Sequence, residues 1–364
     1  MIHTIGKIAV IAEIGTSHGG SMKKARELID AARDTGADIA KFQIVYAEEI
    51  LHPDTGFVRL PGGDIRLFDR FKELEAPPSF FREIKEYCDK KGIGFLCSPF
   101  GTKSLTELAE LNPQWIKIAS PELNHLPLLR SASELGIPLI LSSGVSRLGD
   151  IEQALEMTKK APERILLHCI TSYPAPEDEY NISVLGSLAA VFGVRVGVSD
   201  HSLDPVLVPL AAAANGACMI EKHICLSRSD PGLDDPVALP PEQFARMTME
   251  LRKAEGRTPE AVLEDLKARY GDAKTSAVLG DGVKRLAESE RANYGRTNRS
   301  LHYLRSMKAG ESIREEDIGI LRTEKILTPG LDPEMLERVI GGELVRDVDN
   351  GAGVSLADLV RSKR

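Results

Sequence analysis

Short apolar runs alternate with helix-like segments from the N-terminus to about residue 255. In the helix-like segments, such as SMKKARELIDAARDTGA (residues 21–37), apolar residues recur every three or four positions, as on one face of a helix. The apolar runs have the composition of buried parallel strands. There are eight, at residues 8–15, 38–45, 92–100, 115–120, 138–144, 164–170, 195–202 and 218–224. Eight strand–helix units predict an α/β fold, a (β/α)₈ TIM barrel, with an open doubly wound sheet as the alternative.

Polar residues gather where each predicted strand ends. They are Glu13, Lys41, Gln43, Ser98, Lys117, Ser120, Glu122, Ser142, Ser143, His168, Thr171, Tyr173, Ser199, Asp200, His201, Glu221 and His223. A barrel carries its active site at the carboxyl ends of its strands. The pattern therefore predicts an enzyme rather than a structural barrel.

The alternation changes after the eighth run. Residues 1–255 are predicted to form the barrel, residues 256–292 a helical linker, and residues 293–364 a second, compact and mainly β domain. The last segment has short β-like pieces and turn glycines instead of strand–helix units.

Composition narrows the classes of function. The 364 residues are 42% apolar and 27% charged, and 46 Lys and Arg face 54 Asp and Glu, for a net charge of −8. This excludes disorder and, without a basic cluster, argues against binding to nucleic acid or to an anionic membrane. Five cysteines without a CxxC pair indicate neither a disulfide framework nor a thiolate zinc site, which fits a reducing cytoplasm. No run approaches the roughly 18 apolar residues of a membrane-spanning helix.

Two histidines end consecutive predicted strands. His201 lies in SDHS and His223 in EKH. Neighbouring strands are roughly 4.8 Å apart, so both imidazoles can approach one divalent ion and leave coordination positions open for substrate and water. The alternative for each histidine alone is a hydrogen-bonded polar residue.

Two lysines follow apolar segments, Lys41 in ADIAKFQ and Lys117 in WIKIAS. Lysine is rarely buried unless it is paired, so each is expected to meet an anion. Hydroxyl groups at the same ends favour a cationic cup for phosphate or carboxylate; they belong to Ser98, Ser120, Thr171 and Ser199. Pairing of Lys117 with Glu122, or a Schiff-base lysine, stays open.

Three carboxylates, Glu13, Glu122 and Asp234, are placed to act on a neutral substrate. Each can orient hydroxyl groups, activate water, or neutralise a neighbouring lysine. Asp234 belongs to a shaped loop, DPGLDDP, after the eighth strand.

The motifs together resemble the sialic acid synthase family, which condenses phosphoenolpyruvate with an N-acylated hexosamine. They are AEIGTSHGG, KFQ, SPF, KIASPELNHLPLL, ILSSG, LLHCITSYPAP, GVSDHS, IEKH and DPGLDD, in the family's order along the barrel. Some of them look closest to the spore-coat polysaccharide branch. The resemblance also implies that residues 293–364 are an antifreeze-protein-like (SAF, β-clip) domain.

The resemblance implies a Mn²⁺ or Mg²⁺ ion on His201 and His223. It places phosphoenolpyruvate at Lys41, Ser98, Lys117, Ser120, Thr171 and Ser199, and the sugar and reacting carbons at Glu13, Gln43, Glu122, Tyr173 and Asp234. Glu122 is then expected to orient or deprotonate the water that adds to C2, with Lys117 and Glu13 as the other catalytic residues.

In this family the C-terminal domain reaches across a dimer and supplies an arginine to the partner's sugar, which implies a domain-swapped homodimer. Arg322 is the best positional match, with a surface arginine as the alternative. Ser17, Pro121 and Thr171 depart from the family's usual residues, so the identity of the acylamino sugar stays open.

Two other functions compete with this hypothesis. One is a different barrel aldolase or keto-acid synthase that uses phosphoenolpyruvate, and the other is a non-catalytic carbohydrate-binding barrel. The set of lysines and histidines at the strand ends argues against the second.

Overall fold

Eight parallel strands close into a barrel in the computed structural model, which describes residues 4–60 and 63–359. The strands of the chain are β1 (Ala9–Gly15), β2 (Ile39–Ile44), β3 (Phe57–Leu60), β4 (Gly63–Arg66), β5 (Gly94–Pro99), β6 (Ile116–Ile118), β7 (Leu139–Ser142), β8 (Arg164–Cys169), β9 (Arg195–Asp200), β10 (Met219–His223), β11 (Arg299–Tyr303) and β12 (Ile318–Arg322). The barrel order is β1-β10-β9-β8-β7-β6-β5-β2, and β2 pairs with β1. Each of the eight predicted runs contains one barrel strand, which confirms the TIM barrel.

Helices pack around the barrel, at its carboxyl end and in the C-terminal part of the chain. They are α1 (Met22–Asp34), α2 (Ala47–Ile50), α3 (Leu67–Lys72), α4 (Pro78–Lys91), α5 (Thr102–Glu110), α6 (Leu126–Glu134), α7 (Leu148–Met157), α8 (Val184–Phe192), α9 (Leu207–Ala214), α10 (Pro241–Ala254), α11 (Pro259–Tyr270), α12 (Asp272–Leu279) and α13 (Leu336–Val339). In α1 the Ser21 side chain accepts from the Lys24 amide and caps the first turn, and Leu28 and Ile29 are buried against the barrel. None of the helices in the described residues is long and apolar enough to cross a membrane.

The barrel interior explains why chemistry collects at one end. Apolar side chains including Ile11, Leu96, Ile140 and Met219 form a separate cluster. Because side chains alternate along a strand, the residue two positions further on points to the same side. Those positions hold Glu13, Ser98, Ser142 and Glu221. The interior therefore passes from an apolar layer to a polar layer toward the carboxyl ends.

One insertion within the barrel was not predicted. Between β2 and α4 the chain forms α2, the β3–β4 hairpin and α3. Together with Val45, Leu74 and Phe100, this insertion forms its own apolar cluster at the carboxyl end of the barrel. It becomes one wall of the candidate site.

The chain beyond α10 follows the predicted change of pattern. Helices α11 and α12 come first, and after them β11 and β12 pair antiparallel within an apolar cluster of their own. Leu51 bridges to Arg322, so this part lies against the barrel mouth. The three domain limits stay a prediction, and residues 360–364 lie outside the described part.

Candidate functional site

Five side chains form a charged cluster inside the carboxyl end of the barrel: Glu13, Lys41, Lys117, Ser199 and Glu221, called here the inner cup. Lys41 Nζ lies 2.7 Å from Glu13 Oε2. Glu221 Oε1 lies 3.8 Å from both lysine Nζ atoms and accepts a 2.9 Å hydrogen bond from Ser199. All five are buried. The predicted convergence of the two lysines is therefore present in the structure.

The charges of the inner cup shift one another's pKa. Burial raises the pKa of Glu13 to about 7, because Lys41 offsets only part of the desolvation. For Glu221 burial acts in the same direction, but Lys117 and Lys41 outweigh it and hold the pKa at about 2. Burial lowers the pKa of Lys117 despite Glu221, whereas Glu13 and Glu221 overcome burial and raise that of Lys41. Glu13 is thus the carboxylate suited to proton transfer near neutral pH.

Hydroxyl groups surround the cup as predicted. Lys117 Nζ donates to Ser142 Oγ over 2.6 Å. Ser98 Oγ and Thr171 Oγ1 are buried, and neither has a hydrogen-bond partner in the described chain. Ser120 Oγ accepts from the Gly144 amide. Buried hydroxyls without partners are rare, so these groups mark a surface that receives a polar ligand.

Gly144 makes room for two of these hydroxyls. A Cβ atom on this residue would lie 2.1 Å from Thr171 Oγ1 and 3.0 Å from Ser120 Oγ. Any larger residue would therefore displace the hydroxyl groups from their positions beside the cup.

The two predicted metal ligands lie side by side. The rings of His201 and His223 have centroids 5.5 Å apart, and the Tyr173 ring packs 4.2 Å from that of His201. His201 Nδ1 pairs with the Ile170 carbonyl, which leaves Nε2 as the ligand atom. His223 Nδ1 is buried and has no hydrogen-bond partner among the described residues, and Asp234 Oδ2 lies 3.9 Å away.

The donor set fits a divalent ion held by two imidazoles. Within the described residues no group of three or more His, Cys, Asp or Glu side chains converges on a metal position. An ion here would have to take its remaining ligands from substrate and water, as the sequence predicts. The metal itself stays a prediction.

A cavity of about 210 Å³ opens above these groups, called here the outer cavity. Four of the residues predicted around the sugar line it: Gln43, Tyr173, Asp234 and Arg322. Thr171, predicted for phosphoenolpyruvate, lines it as well. Gln43 Nε2 donates to Glu13 Oε1 over 2.6 Å and so connects the outer cavity to the inner cup. The structure therefore brings the predicted sugar and anion residues together.

Glu122 lies between two arginines from the C-terminal part of the chain. Its Oε2 accepts from Arg299 Nε and its Oε1 from Arg322, each over 2.5 Å. Burial opposes ionisation, but Arg299 and Arg322 outweigh it and lower the pKa of Glu122. Both oxygens are occupied and the carboxyl stays ionised. The geometry therefore does not support the predicted role of Glu122 as a water-activating base, and it makes Glu122 a clamp on the two arginines.

Arg322 reaches the barrel mouth of its own chain. The resemblance predicted that Arg322 binds the sugar of a partner subunit. In the structure Arg322 contacts Glu122 and lines the outer cavity of its own chain. The surface-arginine alternative is wrong, because the residue is buried. The homodimer and its domain swap, which one chain does not test, stay predictions.

Three functional residues were missing from the predicted site. Glu221 bridges the two lysines of the cup. Arg299 donates to Glu122 and to the Phe100 and Ile320 carbonyls. Glu290 Oε1 accepts from the Val145 and Thr171 amides and so joins the loops after β7 and β8. Glu221 was recognisable from its strand-end position, whereas Arg299 and Glu290 act over long sequence separations that no local motif shows.

A family model matches residues 28–261 of the chain and describes the NeuB family. The chain belongs to the NeuB family. Over 98% of its length it is 32% identical to the spore coat polysaccharide biosynthesis protein SpsE of Bacillus subtilis, of which it covers 95%. The crystal structure of that protein superposes with a TM-score of 0.82 and covers all of this chain and 98% of the other.

Two further family members carry names that describe an activity. The N,N'-diacetyllegionaminic acid synthase of Campylobacter jejuni is 31% identical over 92% of this chain and 95% of its own. The N-acetylneuraminic acid synthetase structure from Leptospira borgpetersenii is 31% identical, with a TM-score of 0.63 over 80% of this chain and 92% of the other. These NeuB relatives confirm the resemblance and support a synthase.

Proposed function

We propose that this chain condenses phosphoenolpyruvate with the open-chain form of an N-acylated hexosamine and yields a nonulosonic acid and phosphate. The observation that carries this proposal is the connection between the outer cavity and the inner groups. Tyr173 lines the cavity and packs on His201, and Gln43 lines it and donates to Glu13. A sugar in the outer cavity therefore ends beside the cup. The names of the synthase relatives support the same reaction class.

The inner cup suits the anionic substrate. Phosphoenolpyruvate carries a phosphate and a carboxylate, and Lys41 and Lys117 are buried cations. Ser98 Oγ is a further donor that has no partner in the described part of the chain. Glu221 balances the lysines before the anion binds. When Glu13 takes up a proton, near its pKa of about 7, the cup becomes net positive. Anion binding and Glu13 protonation therefore favour each other.

The reaction follows from this placement. C3 of phosphoenolpyruvate forms a bond to the aldehyde carbon of the sugar while the aldehyde C=O π bond breaks, and positive charge develops at C2. Glu13, protonated when the anion is bound, can donate its proton to the aldehyde oxygen, which becomes a hydroxyl group. Water then adds to C2 and returns a proton to Glu13. Phosphate leaves as the C2–O bond breaks, and it takes the proton of the new C2 hydroxyl group as that group becomes the keto oxygen. The inner cup holds the departing phosphate next to its lysines.

His201 and His223 would hold a divalent ion, Mn²⁺ or Mg²⁺, which when bound supplies Lewis acidity for the aldehyde oxygen. Tyr173 packs against His201 and helps to fix its ring. The Ile170 carbonyl fixes the tautomer.

The test is phosphate release from phosphoenolpyruvate with Mn²⁺ and a panel of acylated amino hexoses. We expect release that depends on the sugar and stops with a chelator. His201→Ala and His223→Ala should each abolish phosphate release. His52 is a buried histidine that pairs with Asn350, and His52→Ala should retain phosphate release. Folding of each variant is checked by thermal unfolding.

Other outcomes point to the competing functions. Full activity in the double His→Ala variant would overturn the metal assignment. An imine on Lys41 or Lys117 that borohydride traps would indicate a Schiff-base aldolase. Sugar binding without phosphate release from any member of the panel would indicate a carbohydrate-binding barrel.

A further inference from the structure

The loop after β7 contains a residue with a strained backbone. Val145 is fully buried and has a φ of 43°, in the left-handed region that a β-branched residue rarely adopts. Such a conformation costs free energy and persists only where the surrounding contacts enforce it, which happens most often at functional sites. The contacts around Val145 therefore identify the parts of the chain that impose this conformation.

Three side chains from residues 284–298 hold this loop. Glu290 Oε1 accepts a 2.6 Å hydrogen bond from the Val145 amide, and Asn298 Nδ2 donates to the Val145 carbonyl over 3.0 Å. Lys284 Nζ donates to the Ser143 carbonyl over 3.1 Å. Glu290 and Asn298 are buried. Both backbone polar groups of the strained residue are therefore bound by side chains that lie 145 and 153 residues further along the chain.

Glu290 also holds the next loop, and it does so with the same oxygen atom. Its Oε1 accepts a 2.7 Å hydrogen bond from the Thr171 amide, in the loop after β8. Its other oxygen, Oε2, accepts from the Ala287 amide at the start of the turn that carries Glu290 itself. A single buried oxygen atom therefore sets the spacing between the loops after β7 and β8.

The two loops meet where the anionic substrate is expected. Gly144 precedes Val145, its amide donates to Ser120 Oγ, and Thr171 Oγ1 leaves no room for a Cβ atom on it. Thr171 Oγ1 is buried and has no hydrogen-bond partner among the described residues, which leaves this hydroxyl group to a ligand. A change in the spacing of the loops would therefore move the hydroxyl groups of Ser120 and Thr171 relative to each other.

We propose that Glu290 is a positioning residue for phosphoenolpyruvate: its carboxylate fixes the two loops so that the hydroxyl groups of Ser120 and Thr171 face the anion together. This inference rests on the proposed function and adds a residue that does not itself touch the substrate. Hydrogen bonds weaken steeply when their geometry departs from the optimum, so a small shift of either loop weakens anion binding. Gln43 and Arg322 line the outer cavity from other elements, so sugar binding should change little.

The test measures the Kd of phosphoenolpyruvate for the full chain by calorimetric titration, with Mn²⁺ and without sugar. Glu290→Asp keeps the charge but shortens the side chain, and the Kd should rise by at least about 10-fold, as for loss of a hydrogen bond to the ligand. Glu290→Gln keeps the length and a carbonyl acceptor, so its Kd should stay within about 3-fold of the wild type. Asn298→Ala, a second variant that frees the same loop, should raise the Kd by about 5-fold or more. In steady-state assays the KM for the sugar should stay within about 3-fold in all three variants.

Glu179→Ala is the matched control. Glu179 Oε2 accepts from the amide and the hydroxyl group of Ser289, next to Glu290, and within the described chain it makes no hydrogen bond to the Val145 or Thr171 amide. Thermal unfolding should show a less stable chain, while the Kd of phosphoenolpyruvate stays within about 3-fold of the wild type.

Three results would overturn the inference and leave the proposed function standing. They are an unchanged Kd in Glu290→Asp and Asn298→Ala, a Kd that Glu290→Gln raises as much as Glu290→Asp, and equal increases in the KM values for the sugar and for phosphoenolpyruvate. The second result would mean that the charge of Glu290 matters rather than its reach. A wild-type chain that binds no phosphoenolpyruvate would overturn the proposed function itself.

Discussion

The inner cup and the outer cavity are built by different means. Barrel strands carry the inner cup, and its charges pair with one another: Lys41 with Glu13, and Glu221 with both lysines. Loops, the insertion after β2 and the C-terminal part of the chain form the outer cavity. Parts of a fold that sit on rigid strands hold precise geometry, and loops vary more freely. From this difference we infer that the inner cup determines the reaction class and that the outer cavity determines which sugar binds.

The largest effect is expected in the cup. Lys117→Met removes a cation that faces the barrel interior, and phosphate release should fall by about 10²- to 10³-fold, as for loss of one group that stabilises charge in the transition state. Ser142 and Glu221 remain, so the fold should persist. The measurement is single-turnover phosphate release beside a thermal unfolding curve.

Lys222 is a buried lysine outside the cup, and its variant is the control for Lys117→Met. Its Nζ donates to Asp200 Oδ2 over 2.6 Å and to the Ser202 carbonyl, and within the described chain its side chain makes no hydrogen bond or ion pair with a cup residue. Lys222→Met should therefore lower the free energy of unfolding by about 3–5 kcal/mol. If Lys117→Met lowered the free energy of unfolding by the same amount and retained turnover, the distinction between a catalytic lysine in the cup and a structural lysine outside it would be wrong.

Substitution of Arg299 tests which contacts stabilise the outer cavity. It is fully buried, pairs with Glu122, and donates to the Phe100 and Ile320 carbonyls. Arg299→Met leaves Glu122 with Arg322 alone and frees buried carbonyls, so the free energy of unfolding should fall by about 3–5 kcal/mol. Denaturant unfolding measures it. Arg305→Met, which removes an exposed arginine, should lower the free energy of unfolding much less, because exposed ion pairs contribute little. Similar decreases in the free energy of unfolding for both variants would contradict the role of Glu122 as a clamp on the two arginines.

Arg322 separates sugar binding from binding of phosphoenolpyruvate. Arg322→Ala should raise the KM for the sugar by about 10- to 100-fold, because a charged hydrogen bond to the sugar is lost. The KM for phosphoenolpyruvate should stay within about 3-fold, since no contact of Arg322 reaches the cup lysines in the described chain. Equal changes in both constants would show that the two sites are not divided as proposed.

The sequence predicted strand-end residues of the cup and residues lining the cavity, but not the arginine pair around Glu122, for a physical reason. Period-two alternation places Glu13, Ser98 and Glu221 above apolar residues of the same strands, so the strand ends reveal them. Arg299 and Glu122 are 177 residues apart, and no local pattern reports such a pair. The same limit explains why Glu122 was given a proton-transfer role. Its environment is set by arginines that the strand-by-strand pattern does not place.

The smallest effect is expected from acid, through two buried histidines outside the cup. Burial, and then the nearby Lys284, lowers the pKa of His168 to about 3; burial, and then Arg299, lowers that of His125 to about 3. Both stay neutral in the folded chain while the unfolded chain takes up protons below its pKa of 6.5. The unfolded state then binds more protons, so stability falls as pH decreases from 6.5 toward 3, by about 2 kcal/mol for each histidine at pH 5.

His168→Gln should make the chain less sensitive to acid. The amide keeps a donor for the Tyr180 carbonyl but does not titrate, so about 2 kcal/mol of the stability lost between pH 7 and pH 5 should disappear. Urea unfolding at both pH values measures this difference, with the interval from pH 7 to pH 8 as the internal control, because neither histidine titrates there. An unchanged difference between pH 7 and pH 5 in the variant would mean that His168 is not neutral in the fold. It would also remove the contrast between a cup whose buried charges are paired and buried histidines that stay neutral.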